Sequence, residues 1–219
     1  MPKLLRLLLS IFAVLSLGVA LAACGDDDDA DTDDTTTTEA ADEATDEGED
    51  GGEEASGPLC AEGDAFIFPP SSEPAEGAEA VSITATEEEA GGQTVYSFSD
   101  NAATDLGEVG SYAVTFQNEG EEMHELIVTR LNDDETRSVP ELLAAVGEGT
   151  DPASFSTDVG TTSACPGEET VVGAEIEDAG RYLLVCAFPV GATPGLTEDE
   201  LPEGPPHAAQ GMVVEMVVS

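Results

Sequence analysis

The sequence predicts an all-β domain, organised as a β-sandwich with one short helix and preceded by a disordered acidic tether. Two observations carry this prediction. Residues 58–219 contain short segments of alternating apolar and polar residues, separated by Gly, Pro, Asn and Asp turn signals, as is typical of sandwiches. Residues 25–57 consist almost entirely of Asp, Glu, Thr, Ala and Gly, so they lack the apolar surface that a core requires.

The N-terminus has the features of an export signal. Residues 1–23 combine a short basic start with an apolar run and small residues directly before Cys24, which indicates a secretory signal peptide and not a spanning helix. The four residues 21–24, Leu-Ala-Ala-Cys, resemble the bacterial lipobox. That resemblance implies that Cys24 becomes the lipidated N-terminus of an extracytoplasmic, membrane-anchored protein. Ordinary secretion with a free or disulfide-bonded Cys24 is the alternative.

Residues 24–57 are predicted to form the tether between this anchor and the folded domain of residues 58–219. Their like charges repel one another and extend the chain, which would hold the domain away from the membrane surface. A specific acidic binding tail is the competing interpretation of the same composition.

Strands and a helix follow in order along residues 58–219. A short candidate strand, Ala65–Phe68, precedes seven predicted strands at Ala80–Thr86, Thr94–Ser99, Val109–Asn118, Met123–Leu131, Glu169–Glu177, Gly180–Phe188 and Gly211–Val218. The helix is predicted at Val139–Val146, because Ser138 can cap it, Pro140 suits its first turn and Gly147 can end it.

Alternation within three of the strands predicts which side chains face the core, since residues two apart share a face. His124 shares a face with Leu126 and Val128, and Cys186 shares one with apolar neighbours on both sides. In the last strand Glu215 must face outward, which turns Met212 inward. These three residues are therefore expected on core faces near strand ends.

The charge excludes one class of partner. The chain carries 48 acidic and five basic residues, a formal net charge of −43, and residues 58–219 hold 32 of the acids with only Arg130, Arg137 and Arg181 to balance them. Nucleic acid is excluded on electrostatic grounds. Adaptation to high salt, where screening removes the self-repulsion, is one explanation of the acidity. A basic redox partner protein is the other.

Cysteine pairing limits the state of the remaining thiols, because the predicted compartment is oxidising. With Cys24 lipidated, a disulfide between Cys60 and Cys165 leaves Cys186 unpaired inside a predicted strand. An unpaired strand cysteine in this compartment calls for a metal or a partner. A disulfide between Cys165 and Cys186 remains open, and it would exclude a metal site at Cys186.

Four residues supply two imidazoles, one thiolate and one thioether, the ligand set of a mononuclear copper site that transfers electrons: His124, Cys186, His207 and Met212. The chain here resembles the cupredoxin family in residues 115–124 (TFQNEGEEMH), in residues 180–186 (GRYLLVC), in His207 and in Gly211-Met212. The resemblance covers roughly residues 107–219. It differs from the family in the long interval between Cys186 and His207, for which we expect an excursion hinged at Pro189 and Pro205, and in Glu125, where asparagine is common.

The resemblance implies a Greek-key cupredoxin-like fold and one mononuclear copper. His124 and His207 would be the equatorial imidazoles, Cys186 the thiolate and Met212 the axial thioether. The implied function is outer-sphere transfer of single electrons through an imidazole edge, preferably that of His207, in a protein that is not an enzyme.

Other functions use the same residues in different ways. One alternative is a cupredoxin-like binding or structural module without redox metal, with residues 191–206 as its recognition surface, and another is an envelope copper-capture protein. Two histidines and a cysteine could also hold zinc, which has no need of Met212. A cysteine nucleophile is disfavoured because Cys186 faces the core, and no calcium-binding loop is present in the sequence.

Overall fold

The computed structural model describes residues 58–219. The predicted signal peptide (1–23), the lipidated Cys24 and the tether (24–57) lie outside the described residues. The strands are β1 (Glu79–Ala90), β2 (Gln93–Phe98), β3 (Gly110–Asn118), β4 (His124–Leu131), β5 (Ser156–Ala164), β6 (Glu169–Ile176), β7 (Gly180–Val185) and β8 (Val213–Val218). The helices are α1 (Ala102–Asp105) and α2 (Val139–Gly147).

The strands form two four-stranded sheets, ordered β2-β1-β3-β6 and β5-β4-β7-β8. β1 pairs with β3 in parallel, and every other pairing between the named strands is antiparallel. The core lies between the sheets, because alternate residues of β1, β3, β4 and β8 are buried there. The predicted all-β sandwich is confirmed.

Helix α2 covers the outer face of the second sheet. It begins with a capping box, in which the Ser138 backbone N–H donates to the Glu141 carboxylate. Its buried Leu142 packs with Leu131, Phe155 and Leu183 in a second, smaller apolar cluster. The second sheet is therefore partly buried on its outer face, where Glu125 and Thr129 of β4 are buried, whereas Val217 of β8 is 71% exposed.

Four parts of the fold differ from the sequence prediction. Strand β5 was not predicted, and α1 is an additional single helical turn. The candidate strand at Ala65–Phe68 is wrong, since this segment is irregular and the N–H groups of Ile67 and Phe68 bond instead to the Ser163 hydroxyl. Strand β7 also ends at Val185, so Cys186 lies just beyond it.

A disulfide joins Cys60 to Cys165, and Cys186 is a buried free thiol. The first cysteine precedes β1 and the second follows β5, so the bond ties the N-terminal segment of the domain to the second sheet. This pairing removes the competing bond between Cys165 and Cys186. Within residues 58–219, no helix is long and apolar enough to cross a membrane.

Candidate metal centre

Three predicted ligands meet at one end of the sandwich. His124 is the first residue of β4, Cys186 follows β7 directly, and His207 begins a 3₁₀ turn that leads into β8. All three side chains are fully buried. The Cys186 Sγ atom lies 3.8 Å from Nδ1 of His124 and 3.4 Å from Nδ1 of His207, and the possible ligand atoms of the three residues lie within 4.8 Å of one another.

These separations suit a single first-row metal ion. Metal–sulfur and metal–nitrogen bonds of about 2.3 and 2.0 Å, at trigonal or tetrahedral angles, place the two ligand atoms roughly 3.5–3.7 Å apart. The two measured distances fall on either side of this range. The three side chains can therefore bind one ion without a large rearrangement.

Backbone hydrogen bonds hold Cys186 and His207 together despite the twenty residues between them. The His207 N–H donates to the Phe188 carbonyl (2.8 Å), and the Ala208 N–H donates to the Cys186 carbonyl (3.0 Å). Pro189 and Pro206 form an isolated antiparallel bridge just outside them. The long interval is therefore an excursion closed at its base, with its hinge at Pro189 as expected and at Pro206, one residue beyond Pro205.

Two carboxylates fix the orientation of both imidazole rings. His124 Nε2 lies 3.0 Å from Glu87 Oε1, and His207 Nε2 lies 3.0 Å from Glu122 Oε2. A carboxylate only accepts hydrogen bonds, so each ring carries its proton on Nε2 and directs the lone pair of Nδ1 toward Cys186. The sequence analysis did not find either glutamate.

In the metal-free protein, the protonation states of His207 and Cys186 are compatible with metal binding. Burial, followed by the proximity of His124, lowers the pKa of His207 to about 4, so this imidazole is neutral at neutral pH. Burial raises the pKa of the Cys186 thiol. The Glu125 backbone N–H donates to Cys186 Sγ at 3.4 Å. A metal cation would therefore displace the thiol proton on binding, and the N–H group is already placed to bond to the thiolate.

Met212 directly precedes β8 and is fully buried. Its backbone N–H donates to the His207 carbonyl (3.0 Å), and its carbonyl accepts from the Cys186 N–H (3.3 Å). The structure therefore places this methionine next to two residues of the cluster and on the core side, where the alternation in the sequence had placed it.

The His207 ring, whose edge was the expected exit for the electron, is covered by Tyr96. The Tyr96 ring stacks on it at a centroid distance of 4.2 Å and an interplanar angle of 14°. The Tyr96 hydroxyl donates to Glu122, and only about 3% of Tyr96 is exposed. His207 therefore has no direct contact with solvent, and the partly exposed groups nearest to the rings are the two carboxylates.

No protein-family model and no curated protein sequence matches this chain. Among solved structures, it is similar to a dithionite-reduced auracyanin from Roseiflexus castenholzii (18% identity, 65% of this chain and 99% of that one, TM-score 0.37). It is also similar to auracyanin A, a "blue" copper protein from Chloroflexus aurantiacus (19%, 64% and 99%, TM-score 0.33). A copper-containing nitrite reductase from Thermus scotoductus matches over 31% of its own length (15% identity, 64% of this chain, TM-score 0.36).

Similarity of this extent does not by itself identify a function. The sheet order of this chain, with a histidine at the start of β4, a cysteine after β7 and a histidine before β8, is the arrangement expected of a cupredoxin-like domain.

Proposed function

We propose that this protein binds one mononuclear copper ion at His124, Cys186 and His207 and carries single electrons. One observation supports this most strongly: two imidazole Nδ1 atoms and a free thiol converge in a fully buried cluster, with both rings held by carboxylates. Imidazole nitrogens with a thiolate suit both oxidation states of copper. In this proposal Met212 is the axial thioether.

Copper would supply the one-electron redox chemistry, and the chain supplies a buried set of ligands. The ligands come from β4, from the residue after β7 and from the turn before β8, which are tied together by backbone hydrogen bonds. Such a site limits reorganisation when its charge changes. The proposed exit for the electron is the face where the side chains of Glu87 and Glu122 are 12% and 15% exposed.

We place the protein outside the cytoplasm, anchored through a lipid on Cys24 and extended on the tether of residues 24–57. Its partner would be a redox protein, and the 32 acidic residues against only three arginines in residues 58–219 favour a basic one. In this proposal the protein transfers electrons and does not itself catalyse a reaction.

A copper-capture protein is the second candidate, favoured by the same soft ligand set. Burial of all three side chains distinguishes the two, because metal delivery requires a ligand that an acceptor can reach, whereas electron transfer does not. Reversible voltammetry with a fast couple supports the carrier, and tight Cu(I) binding without a reversible couple supports capture. A binding module without metal would take up no stoichiometric copper.

The test of the ligand set is Cys186→Ser, compared with the wild-type protein after addition of Cu(II). We expect the intense thiolate-to-copper absorption to disappear, since serine cannot provide the sulfur. The double variant Cys60→Ala/Cys165→Ala is the cysteine control, and we expect it to keep the colour. A coloured Cys186→Ser protein would exclude the proposed site.

A further inference from the structure

We propose that Glu87 and Glu122 are positioning residues that favour the oxidised over the reduced state of the centre and so lower its reduction potential. This inference rests on the proposed function. It concerns two side chains that are not metal ligands and act only through the imidazoles of His124 and His207.

The Glu122 side chain is built into the site by three hydrogen bonds from separate parts of the fold. Its Oε2 atom accepts from His207 Nε2 (3.0 Å) and from the Gly191 N–H (2.6 Å). Its Oε1 atom accepts from the Tyr96 hydroxyl (2.9 Å). The Gly191 bond also ties Glu122 to the base of the excursion. A carboxylate held on both oxygens in this way cannot turn away from the ring.

Glu87 plays the same part for the other imidazole. Its Oε1 atom accepts from His124 Nε2 (3.0 Å) and from the Glu122 N–H (2.8 Å). Although burial by itself would raise the pKa of Glu87, hydrogen bonds from His124 and from the backbone of Glu122 hold it below its usual value. The two glutamates are thus linked to each other as well as to the two rings.

Gly120 leaves the space that the Glu87 contact needs. A Cβ atom at this position would lie 2.3 Å from Glu87 Oε1 and 2.9 Å from His124 Nε2. The end of a glutamate side chain can move away at low cost, whereas the buried ring cannot. Gly120→Ala should therefore displace the Glu87 carboxylate while leaving the number of charges unchanged.

The effect on potential follows from the charge of the ion. Metal-bound histidines commonly donate their second N–H to a carboxylate, which makes the imidazole more basic. A more basic imidazole stabilises Cu(II) more than Cu(I), because the higher charge draws more electron density from the ring. Two nearby anions add to this preference, since partly buried charges are weakly screened.

The experiment is a redox titration of the copper-loaded, full-length protein and its variants. Glutamine retains an acceptor oxygen and the shape of glutamate but loses the charge, so Glu87→Gln and Glu122→Gln should fold. We expect each to raise the ratio of Cu(I) to Cu(II) affinity about tenfold, which corresponds to about +59 mV for one electron. Gly120→Ala should also raise the potential. The exposed neighbours Glu88 and Glu121 provide matched controls, Glu88→Gln and Glu121→Gln, which change the charge equally and should shift the potential much less.

Unchanged potentials in Glu87→Gln and Glu122→Gln, or equal shifts in the two controls, would overturn the inference. Neither result would contradict the proposed binding of copper. Nitrogen-15 NMR of the metal-free protein provides a second readout, with both rings expected to be protonated on Nε2. A proton on Nδ1 of either ring would also overturn it. A wild-type protein that binds no copper would instead overturn the proposed function, and with it the redox effect.

Discussion

Pro189 and Pro206 pair across the base of the excursion that separates Cys186 from His207. In this pairing the Val190 N–H donates to the Pro205 carbonyl at 3.0 Å. Contacts of the bridge, together with those of Gly191 and Ala192 just beyond it, therefore hold the site, and we expect the more distant part of the excursion to have no influence on the ligand geometry. In a cupredoxin-like site a short loop would have the same effect.

Shortening the excursion tests this relationship. We expect that replacing Thr193–Glu203 with three glycines leaves the copper colour unchanged, because Gly191 and Ala192 keep their bonds to Glu122 and Met123. Stability should fall, since the backbone bonds from the Leu59 N–H to the Leu196 carbonyl and from the Gly195 N–H to the Leu59 carbonyl are lost. Absorption spectroscopy and denaturant unfolding measure the two effects. Loss of the colour in a folded variant would contradict this view of the excursion.

Replacing the proposed axial ligand tests the role of Met212. We expect Met212→Leu to keep the thiolate band and to raise the reduction potential, because removal of the thioether donor destabilises Cu(II) more than Cu(I). The exchange conserves volume and should cost less than about 1.5 kcal/mol. Met216→Leu, at a buried methionine within β8, is the control and should leave the potential unchanged. Equal potentials in the two variants would exclude axial ligation.

The stability of the metal-free protein should depend on two neighbouring carboxyls on the outer face of the second sheet, the buried Glu125 and the more exposed Asp158. Burial, and then the charge of Asp158, raises the pKa of Glu125 to about 8, and burial raises the pKa of Asp158. Between their unfolded and folded pKa values the folded protein retains protons that the unfolded chain has lost, so the free energy of unfolding should fall as pH rises from about 5 to 8.

Asp158→Asn should reduce this fall, because it removes one carboxyl whose pKa is raised and part of the charge that raises the pKa of Glu125. Denaturant unfolding at pH 5 and pH 8 measures the difference, and Asp134→Asn, at an exposed loop position, is the matched control. The same pH dependence in wild type and Asp158→Asn would show that this carboxyl is not responsible.

The excess of acidic residues predicts stabilisation by salt. Each of the three arginines in the domain already pairs with a carboxylate, at Asp133, Glu135 and Glu215. The other acidic residues repel one another without a cationic partner. Raising the salt from about 0.1 M to about 1 M shortens the Debye length from about 10 to 3 Å, so the melting temperature should rise by several degrees. A melting temperature that does not change would argue against salt adaptation, and a neutral solute controls for solvent effects.

The sequence predicted the ligand cluster more completely than the surroundings of the cluster. The chain has two histidines, and the alternation of β4 placed one of them on a core face. The glutamates that orient the rings could not be distinguished among 48 acidic residues, because contacts between distant segments select them. Strand β5 was missed because its buried positions are Ser, Gly, Thr and Ala, which lack an apolar alternation. Pairing with β4, rather than its own composition, makes it a strand.

The central claim is tested most directly by the visible absorption spectrum of the full-length protein after Cu(II) has been added and the excess removed. We predict one copper per chain and an intense thiolate-to-Cu(II) charge-transfer band that is bleached by reductant, because Cys186 is unpaired and faces two Nδ1 atoms. A folded, colourless protein without stoichiometric copper would contradict this account and would identify the domain as a binding module without redox metal.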